Sequence, residues 1–193
     1  MLAVRHKDST ETRILDAARD SIIDIGWKRT TLTEVARRAG LSRMTVYRRY
    51  PDAVAIYADL MTREWADQAP TGVDAADTTA HGIAVLMAER LDILRSDPLF
   101  QRLLQLDPDI LLPYLTERRG RTQQAVLTLL VPLIEHGQKV GTIRSGSAEL
   151  LARSILLAAQ GFLVSAQTMT DAAVQPDDLH AELIALVERY LRP

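Results

Sequence analysis

The stretch Thr31–Tyr50, TLTEVARRAGLSRMTVYRRY, decides the fold of the N-terminal part of the chain. It predicts two short helices that are joined by a tight turn. Thr31 and Glu34 have the T-x-x-E spacing of a capping box, which marks the start of the first helix. Gly40 marks its end, because a residue without a Cβ is best suited to a left-handed C-cap. Ser42 is then placed to cap the second helix.

The side chains of these two helices divide into an inner and an outer set. On the first helix the inner stripe includes Ala36, and a small residue is needed where two helices cross steeply. On the second helix Val46 and Tyr50 turn inward. The pattern is typical of a DNA-binding helix-turn-helix, whose second helix enters the major groove. An ordinary helical hairpin with a solvated basic face is the alternative interpretation. The outward positions of the second helix carry Arg43, Thr45, Arg48 and Arg49.

The composition limits the class of protein. The chain has 193 residues, of which 47% are hydrophobic, so it is long and apolar enough to bury a core. It has no cysteine, which excludes disulfides, thiolate metal sites and a cysteine nucleophile. No apolar run approaches the length of a membrane span, and the N-terminus lacks the apolar core of a signal peptide. We therefore expect a cytoplasmic protein with no membrane partner.

The formal net charge of −2 conceals an asymmetry along the chain. Residues 1–50 hold 11 Lys and Arg against 6 Asp and Glu, a balance of +5. The other 143 residues hold 12 against 19, a balance of −7. A basic N-terminal part followed by an acidic remainder predicts that only the first part meets a polyanion.

Apolar residues recur at helical spacing along the whole chain, and no strand-like alternation stands out. The pattern predicts an all-α protein with about nine helices. A long helix from Thr116 to His136 should be kinked or split by Pro132, and Gly137 and Gly141 should form the turn after it. The remaining predicted helices begin near Thr10, Asp52, Thr78, Pro98, Ala148 and Pro176.

Residues 11–62, and above all TTLTEVARRAGLSRMTVYRRYPD, resemble the tetracycline-repressor (TetR) family of bacterial transcriptional regulators. The resemblance implies a three-helix DNA-binding domain at residues 1–51. It also implies a helical regulatory domain at residues 52–193, with a ligand pocket and a homodimer interface formed by the last two long helices. The implied function is a regulator, most simply a repressor, that binds a pseudo-palindromic operator in double-stranded DNA. A small hydrophobic effector would release it.

The resemblance also assigns roles to residues of the helix-turn-helix. Arginine can grip guanine bidentately, threonine offers a hydroxyl or a methyl group, and tyrosine can donate to a phosphate oxygen. Many family members have a lysine at the start of helix four, where this chain has Ala53 beside Asp52. The phosphate grip is therefore expected to depend on Arg48 and Arg49, or the affinity to be modest. The DNA-binding residues implied are Thr31, Ser42, Arg43, Met44, Thr45, Tyr47, Arg48 and Arg49.

Two further sets of residues are expected in the regulatory domain. An apolar pocket lining favours a hydrophobic effector, although each pocket candidate has plain core packing as its alternative. The helix at Ala148–Thr168 is apolar nearly all round, which favours a two-fold interface between chains. The pocket candidates are Met61, Trp65, Met87, Phe100, Leu103, Tyr114, Gln124 and Gln160. The interface candidates are Ile155, Ala159, Phe162, Leu163, Leu183 and Val187.

Two other classes of function compete with this interpretation. A helical small-molecule-binding protein or enzyme without operator specificity is the first, and a DNA-packaging protein is the second. His6, His81, His136 and His180 lie far apart and lack the spacing of metal ligands, and there is no P-loop, dinucleotide fingerprint or G-x-S-x-G elbow. The sequence therefore predicts no catalytic residue, no metal and no cofactor. A packaging protein seldom carries a large acidic apolar domain, so we expect a regulator.

Overall fold

A computed structural model describes residues 9–68, 78–117 and 119–193 of the chain. These residues form α-helices and short 3-10 turns without any strand, so the predicted all-α class is confirmed. Nine of the helices are longer than five residues, and α7 is a single short turn. The helices are α1 Ser9–Ile25, α2 Leu32–Ala39, α3 Arg43–Arg49, α4 Ala53–Gln68, α5 Ala80–Ser96, α6 Pro98–Leu106, α7 Leu112–Thr116, α8 Arg121–Val140, α9 Ala148–Ser165 and α10 Pro176–Leu191.

The chain divides into two compact units. The first joins Met1–Asp67 with Pro98–Glu117, and the second joins Gln68–Asp97 with Arg118–Pro193. This division does not coincide with the predicted domain boundary after residue 51, because α4 and α6 share their core with α1. The assignment of DNA binding to residues 1–51 and of regulation to residues 52–193 stays a prediction.

The core of the first unit is built around α1. Ile14 and Ile22 are fully buried, and Leu99 and Leu103 of α6 lie in the same cluster. Substituting such a residue by alanine typically lowers the free energy of unfolding by about 2–5 kcal/mol. The Trp27 ring packs edge-on against Tyr57 of α4, with ring centroids 5.1 Å apart. The helix-turn-helix therefore packs on a core that includes residues of α1, α4 and α6 and the Trp27 ring.

The second unit contains a close approach that the sequence did not reveal. Gly137, predicted in a turn, lies inside α8 and is buried. A Cβ at this position would lie 2.5 Å from both Ile143 Cδ1 and the Thr78 carbonyl oxygen, so only glycine fits. The helix continues through Pro132 to Val140 without being split, and Gly141 ends it with a φ of 79°. The prediction for Gly141 is confirmed, and that for Gly137 is wrong.

Helices α5 and α10 lie side by side in the second unit. His81 at the start of α5 lies 3.0 Å from a carboxylate oxygen of Glu188 near the end of α10. His180 at the start of α10 lies 2.5 Å from a carboxylate oxygen of Asp92 near the end of α5. The two pairs join opposite ends of two antiparallel helices.

Candidate nucleic-acid interface

The turn between α2 and α3 is fixed by local backbone chemistry. The Thr31 hydroxyl accepts a hydrogen bond from the Glu34 amide at 3.2 Å. Gly40 adopts the left-handed conformation, with φ of 62° and ψ of 37°. The Ser42 hydroxyl accepts a hydrogen bond from the Thr45 amide at 3.1 Å and so caps α3. These three predicted caps are confirmed, and together they set the angle at which α3 leaves α2.

The Glu34 carboxylate is occupied by two arginines of its own helix. Arg37 donates to it at 2.6 and 2.9 Å, and Arg38 donates at 2.7 Å. These hydrogen bonds, that of Arg37 first, lower the pKa of Glu34 from 4.5 to about 2. Arg38 also donates to Asp24 of α1 at 2.5 Å. Arg37 and Arg38 are therefore engaged in holding α2.

An arginine of α1 also supports the turn between α2 and α3. The guanidinium of Arg13, on α1, donates to the carbonyl oxygens of Ala39 at 2.6 Å and of Gly40 at 3.1 Å. These carbonyls end α2 and have no partner inside the helix, and a cation there also complements the helix dipole. Arg13 thus connects α1 to the turn that places α3.

Helix α3 presents two contrasting faces. Its inner face buries Val46 completely, and Tyr50 just beyond its end is 3% exposed. Its outer face exposes Met44 by 74% and Tyr47 by 49%. Helix α3 is therefore held by its inner face, and its outer face is open to solvent.

The predicted DNA-binding residues occupy different positions on this surface. Arg43 and Arg48 are exposed, and neither has an ion-pair partner among the described residues. The Thr45 hydroxyl shares a 2.8 Å hydrogen bond with that of Ser42. The structure brings together on the open side of α3 the residues Arg43, Met44, Tyr47 and Arg48. Their contacts with DNA, and those of Thr31, Ser42, Thr45 and Arg49, stay predictions.

Arg49 differs from the other arginines of α3 because it is paired. Its guanidinium donates to the Glu11 carboxylate of α1 at 2.5 Å. Tyr50 lies next to this pair, and its burial raises the pKa of the phenol to about 12, with the charges of Asp59 and Glu11 acting in the same direction. The phenol therefore stays neutral beside the ion pair. At the start of α4, the Asp52 carboxylate accepts from the Ala55 amide at 2.8 Å and caps that helix.

The sequence missed a connection between α6 and the segment that precedes α2. Asp107 is 4% exposed, and its carboxylate accepts from the Trp27 amide at 2.8 Å. Next to it, Lys28 pairs with Asp109 at 3.1 Å. In the sequence Asp107 directly precedes Pro108, a pattern that by itself indicates only the end of a helix. A buried carboxylate with a backbone donor instead anchors the α1–α2 connection to the end of α6.

The predicted pocket residues are distributed over both compact units. Met61, Phe100 and Leu103 belong to the first unit, and Leu103 is fully buried in the core around α1. Met87, Gln124 and Gln160 belong to the second unit. The side chains of Trp65 and Tyr114 lie outside the described residues. For Leu103 the structure favours core packing, and the pocket as a whole stays a prediction.

Four of the six predicted interface residues are buried within the single chain, and the interface as a whole stays a prediction. Ile155, Ala159, Leu183 and Val187 are 0–2% exposed within a single chain. They pack α9 and α10 into the core of the second unit and leave no side-chain surface for a partner. The exposed side of α9 instead carries Leu150, Leu157 and Gly161, while Phe162 and Leu163 are half-buried.

The open side of α9 is unusually apolar. Leu150 is 62% exposed and Leu157 is 68% exposed, and on α10 Leu186 is 43% exposed. Contrary to the expectation from the sequence, residues Ala148–Met169 are long and apolar enough, by length and composition alone, to cross a membrane, and 28% of their most apolar stretch is buried. A helix that is packed on one side and apolar on the other is also typical of an interface between protein chains.

A metal centre would need several ligating side chains close together. The described part of the chain contains no group of three or more His, Cys, Asp or Glu side chains placed to hold a metal ion. A small groove between α5, α9 and α10 is lined by Leu91, Asp92, Phe162, His180 and Leu183 among others. In it the Asp92–His180 pair is satisfied internally, so the groove offers no free reactive group.

A capped helix-turn-helix with an open arginine-bearing face, set on an all-helical chain, defines a DNA-binding transcriptional regulator. Residues 14–59 match the model for "Bacterial regulatory proteins, tetR family". An uncharacterized HTH-type transcriptional regulator of Mycobacterium tuberculosis is 37% identical over 185 residues, covering 94% of each chain. The chain belongs to the TetR family of bacterial transcriptional regulators.

Solved structures share the fold at low sequence identity. The SmeT–triclosan complex covers 96% of this chain and 92% of its own, with a TM-score of 0.64 and 22% identity. SmeT is the repressor of a Stenotrophomonas maltophilia multidrug efflux pump. NalD, the secondary repressor of the MexAB-OprM pump in Pseudomonas aeruginosa, covers 95% of this chain and 96% of its own, with a TM-score of 0.59 and 19% identity.

Proposed function

We propose that this regulator is a cytoplasmic repressor that binds a pseudo-palindromic operator as a homodimer and leaves it when a small hydrophobic effector binds. The observation that carries the proposal is the open face of α3. Met44 and Tyr47 are exposed there between Arg43 and Arg48, which have no ion-pair partner among the residues that the structure describes, while the buried Val46 and the caps hold the helix in place. Arginine, methionine and tyrosine side chains exposed together on one helix are suited to contact a partner such as DNA.

The residue types on this face divide by chemistry. Arg43 lies in the first turn of α3, the part of a recognition helix that reaches furthest into the major groove. There it would read guanine through O6 and N7, and Met44 would contact a thymine methyl group. Tyr47 and Arg48 lie further along, where a phenol and a guanidinium would bind phosphate oxygens. In this proposal the first turn of α3 contacts bases, and its second turn contacts phosphates.

The homodimer is proposed to form through the open side of α9. Leu150 and Leu157 lie seven residues apart, which places them on one side of a helix two turns apart. Gly161 continues the row, and a Cβ added to it would meet nothing within 4 Å of the same chain. Two such rows, related by a two-fold axis, would cover one another and bring two recognition helices to two half-sites.

The proposed effector is a small apolar molecule. SmeT was solved with triclosan, and the resemblance to that fold supports an apolar ligand in the regulatory part. A ligand releases DNA only through different affinities for the free and operator-bound states, so operator must in turn weaken ligand binding. An effector whose affinity was unchanged by saturating operator would contradict this mechanism.

The function is tested by selecting bound sequences from random duplex DNA and measuring affinity for the selected site. The expected result is an inverted repeat that is bound at least a thousandfold more tightly than random sequence. The matched control is the double variant Arg43→Ala, Arg48→Ala, which removes the exposed cations but leaves the core intact, as circular dichroism should show. If wild type selected no sequence, or the double variant selected the same one equally well, the proposed function would be wrong.

A further inference from the structure

One ion pair on the proposed DNA-binding surface joins the end of α3 to the start of α1. Arg49, the last residue of α3, donates to the Glu11 carboxylate in the first turn of α1 at 2.5 Å. Their side chains are 37% and 40% exposed. Both groups are therefore accessible from solvent, and a third charged group that approaches α3 can compete for the arginine.

The pair is not required to hold α3 in place. Val46 is fully buried and Tyr50 is 3% exposed, so the end of α3 is already fixed in the core of the first unit. An exposed ion pair adds little to stability, because water and salt screen both charges. A carboxylate at this position consequently has a larger effect on the charge of the surface than on its packing.

We propose that Glu11 limits the DNA affinity of this regulator by withholding Arg49 from the phosphate backbone. The inference rests on the proposed function, because it concerns the same surface. In the free chain Arg49 is paired with Glu11, whereas Arg43 and Arg48 have no ion-pair partner in the described ranges. To bind a phosphate, Arg49 must first give up the Glu11 carboxylate. The phosphate contact therefore adds less to the free energy of DNA binding than it would for an arginine without a partner.

The size of the effect follows from the exposure of the pair. Exposed ion pairs have coupling energies equivalent to about a 1.4- to fivefold change in an equilibrium constant. Removing the Glu11 charge should therefore raise affinity by about that factor per half-site. It should also add about one phosphate contact per half-site, which steepens the dependence of log affinity on log salt by about 0.9. Base preference should stay unchanged, because phosphates carry no sequence information.

The test compares Glu11→Gln with Asp20→Asn. Both substitutions remove one negative charge from α1, and Asp20 is exposed nine residues further along, on the opposite side of the helix. Affinity is measured by fluorescence anisotropy between 50 and 300 mM salt (roughly the range over which phosphate contacts dominate), on the selected operator and on random duplex. Glu11→Gln should bind both more tightly with a steeper salt slope, and Asp20→Asn should match wild type.

A second pair of variants tests whether Arg49 is the intermediary. In an Arg49→Gln background, Glu11→Gln should give no further gain, because there is no withheld cation to release. A gain that persisted there would mean that Glu11 repels phosphates directly, and it would overturn the proposal. Equal or weaker binding by Glu11→Gln alone would overturn it as well.

The two proposals fail in different ways. If wild type prefers no sequence, the proposed function is wrong whatever Glu11 does. If wild type selects an operator but Glu11→Gln binds like Asp20→Asn, only the role of Glu11 is refuted.

Discussion

The interface proposed on α9 makes a prediction that a matched pair of variants can decide. Leu157 is 68% exposed in the single chain, whereas Ile155, two residues earlier on the same helix, is 1% exposed. Leu157→Arg should leave the chain folded, since substitutions at exposed positions usually change stability by less than about 0.5 kcal/mol. Ile155→Ala should instead destabilise the fold by about 2–5 kcal/mol, because it leaves a cavity in the core.

The expected effect of Leu157→Arg on the dimer dissociation constant follows from the cost of burying a charge. In the proposed dimer the arginine at position 157 would be covered by an apolar row without a counter-ion, which costs about 3–5 kcal/mol. At about 1.4 kcal/mol per power of ten, the dimer dissociation constant should rise by roughly two to three and a half powers of ten. Operator affinity should fall with it, because a monomer reaches only one half-site.

The assay is sedimentation at micromolar concentration, combined with urea unfolding followed by circular dichroism. Leu106→Arg, on a leucine that is 48% exposed at the end of α6, is the control for adding an arginine elsewhere. Wild type and Leu106→Arg should sediment as dimers, and Leu157→Arg as a folded monomer. A Leu157→Arg protein that remained a dimer of wild-type affinity would show that α9 does not face the partner.

Four other substitutions test the local chemistry. Gly137→Ala should cost about 1–3 kcal/mol in urea unfolding, because its Cβ would overlap Ile143 and a backbone oxygen; an unchanged midpoint would contradict the close approach. Glu34 has a lowered pKa of about 2, so its stabilisation is complete above pH 4.5 and is lost as pH falls from 4.5 towards 2. The stability difference between wild type and Glu34→Gln should therefore shrink across that window, and a constant difference would argue against it. Arg43→Ala should cost about 1–3 kcal/mol on the selected operator and relax one base pair per half-site, whereas Arg48→Ala should weaken all sequences alike, as competition titrations would show.

The sequence predicts the helix-turn-helix well because its chemistry is local. Caps at Thr31, Gly40 and Ser42 depend on neighbours within four residues, and the inward direction of Val46 follows from helical spacing. The same rule explains the misassignment of Gly137. A glycine near the end of a helical pattern suggests a turn, but here it is needed because Ile143 approaches from outside the helix.

For α9, the spacing of apolar residues does not predict which side of the helix faces the core. A helix that is apolar nearly all round has no unique inner face, so the sequence could not distinguish Ile155, in the core, from Leu157, on the surface. Asp107 was missed for a related reason. Its partner, the Trp27 amide, lies 80 residues away in sequence, and no local pattern relates the two.

The way in which α6 completes the first unit limits how the DNA-binding part can be transplanted. Leu99 and Leu103 are fully buried in the core around α1, although they lie beyond a segment that belongs to the second unit. A fragment cut after α4 would therefore expose apolar surface and lose the Asp107 anchor at Trp27. A chimera meant to transfer operator preference between relatives should carry both pieces of the first unit, or re-create the α6 side chains in its new host.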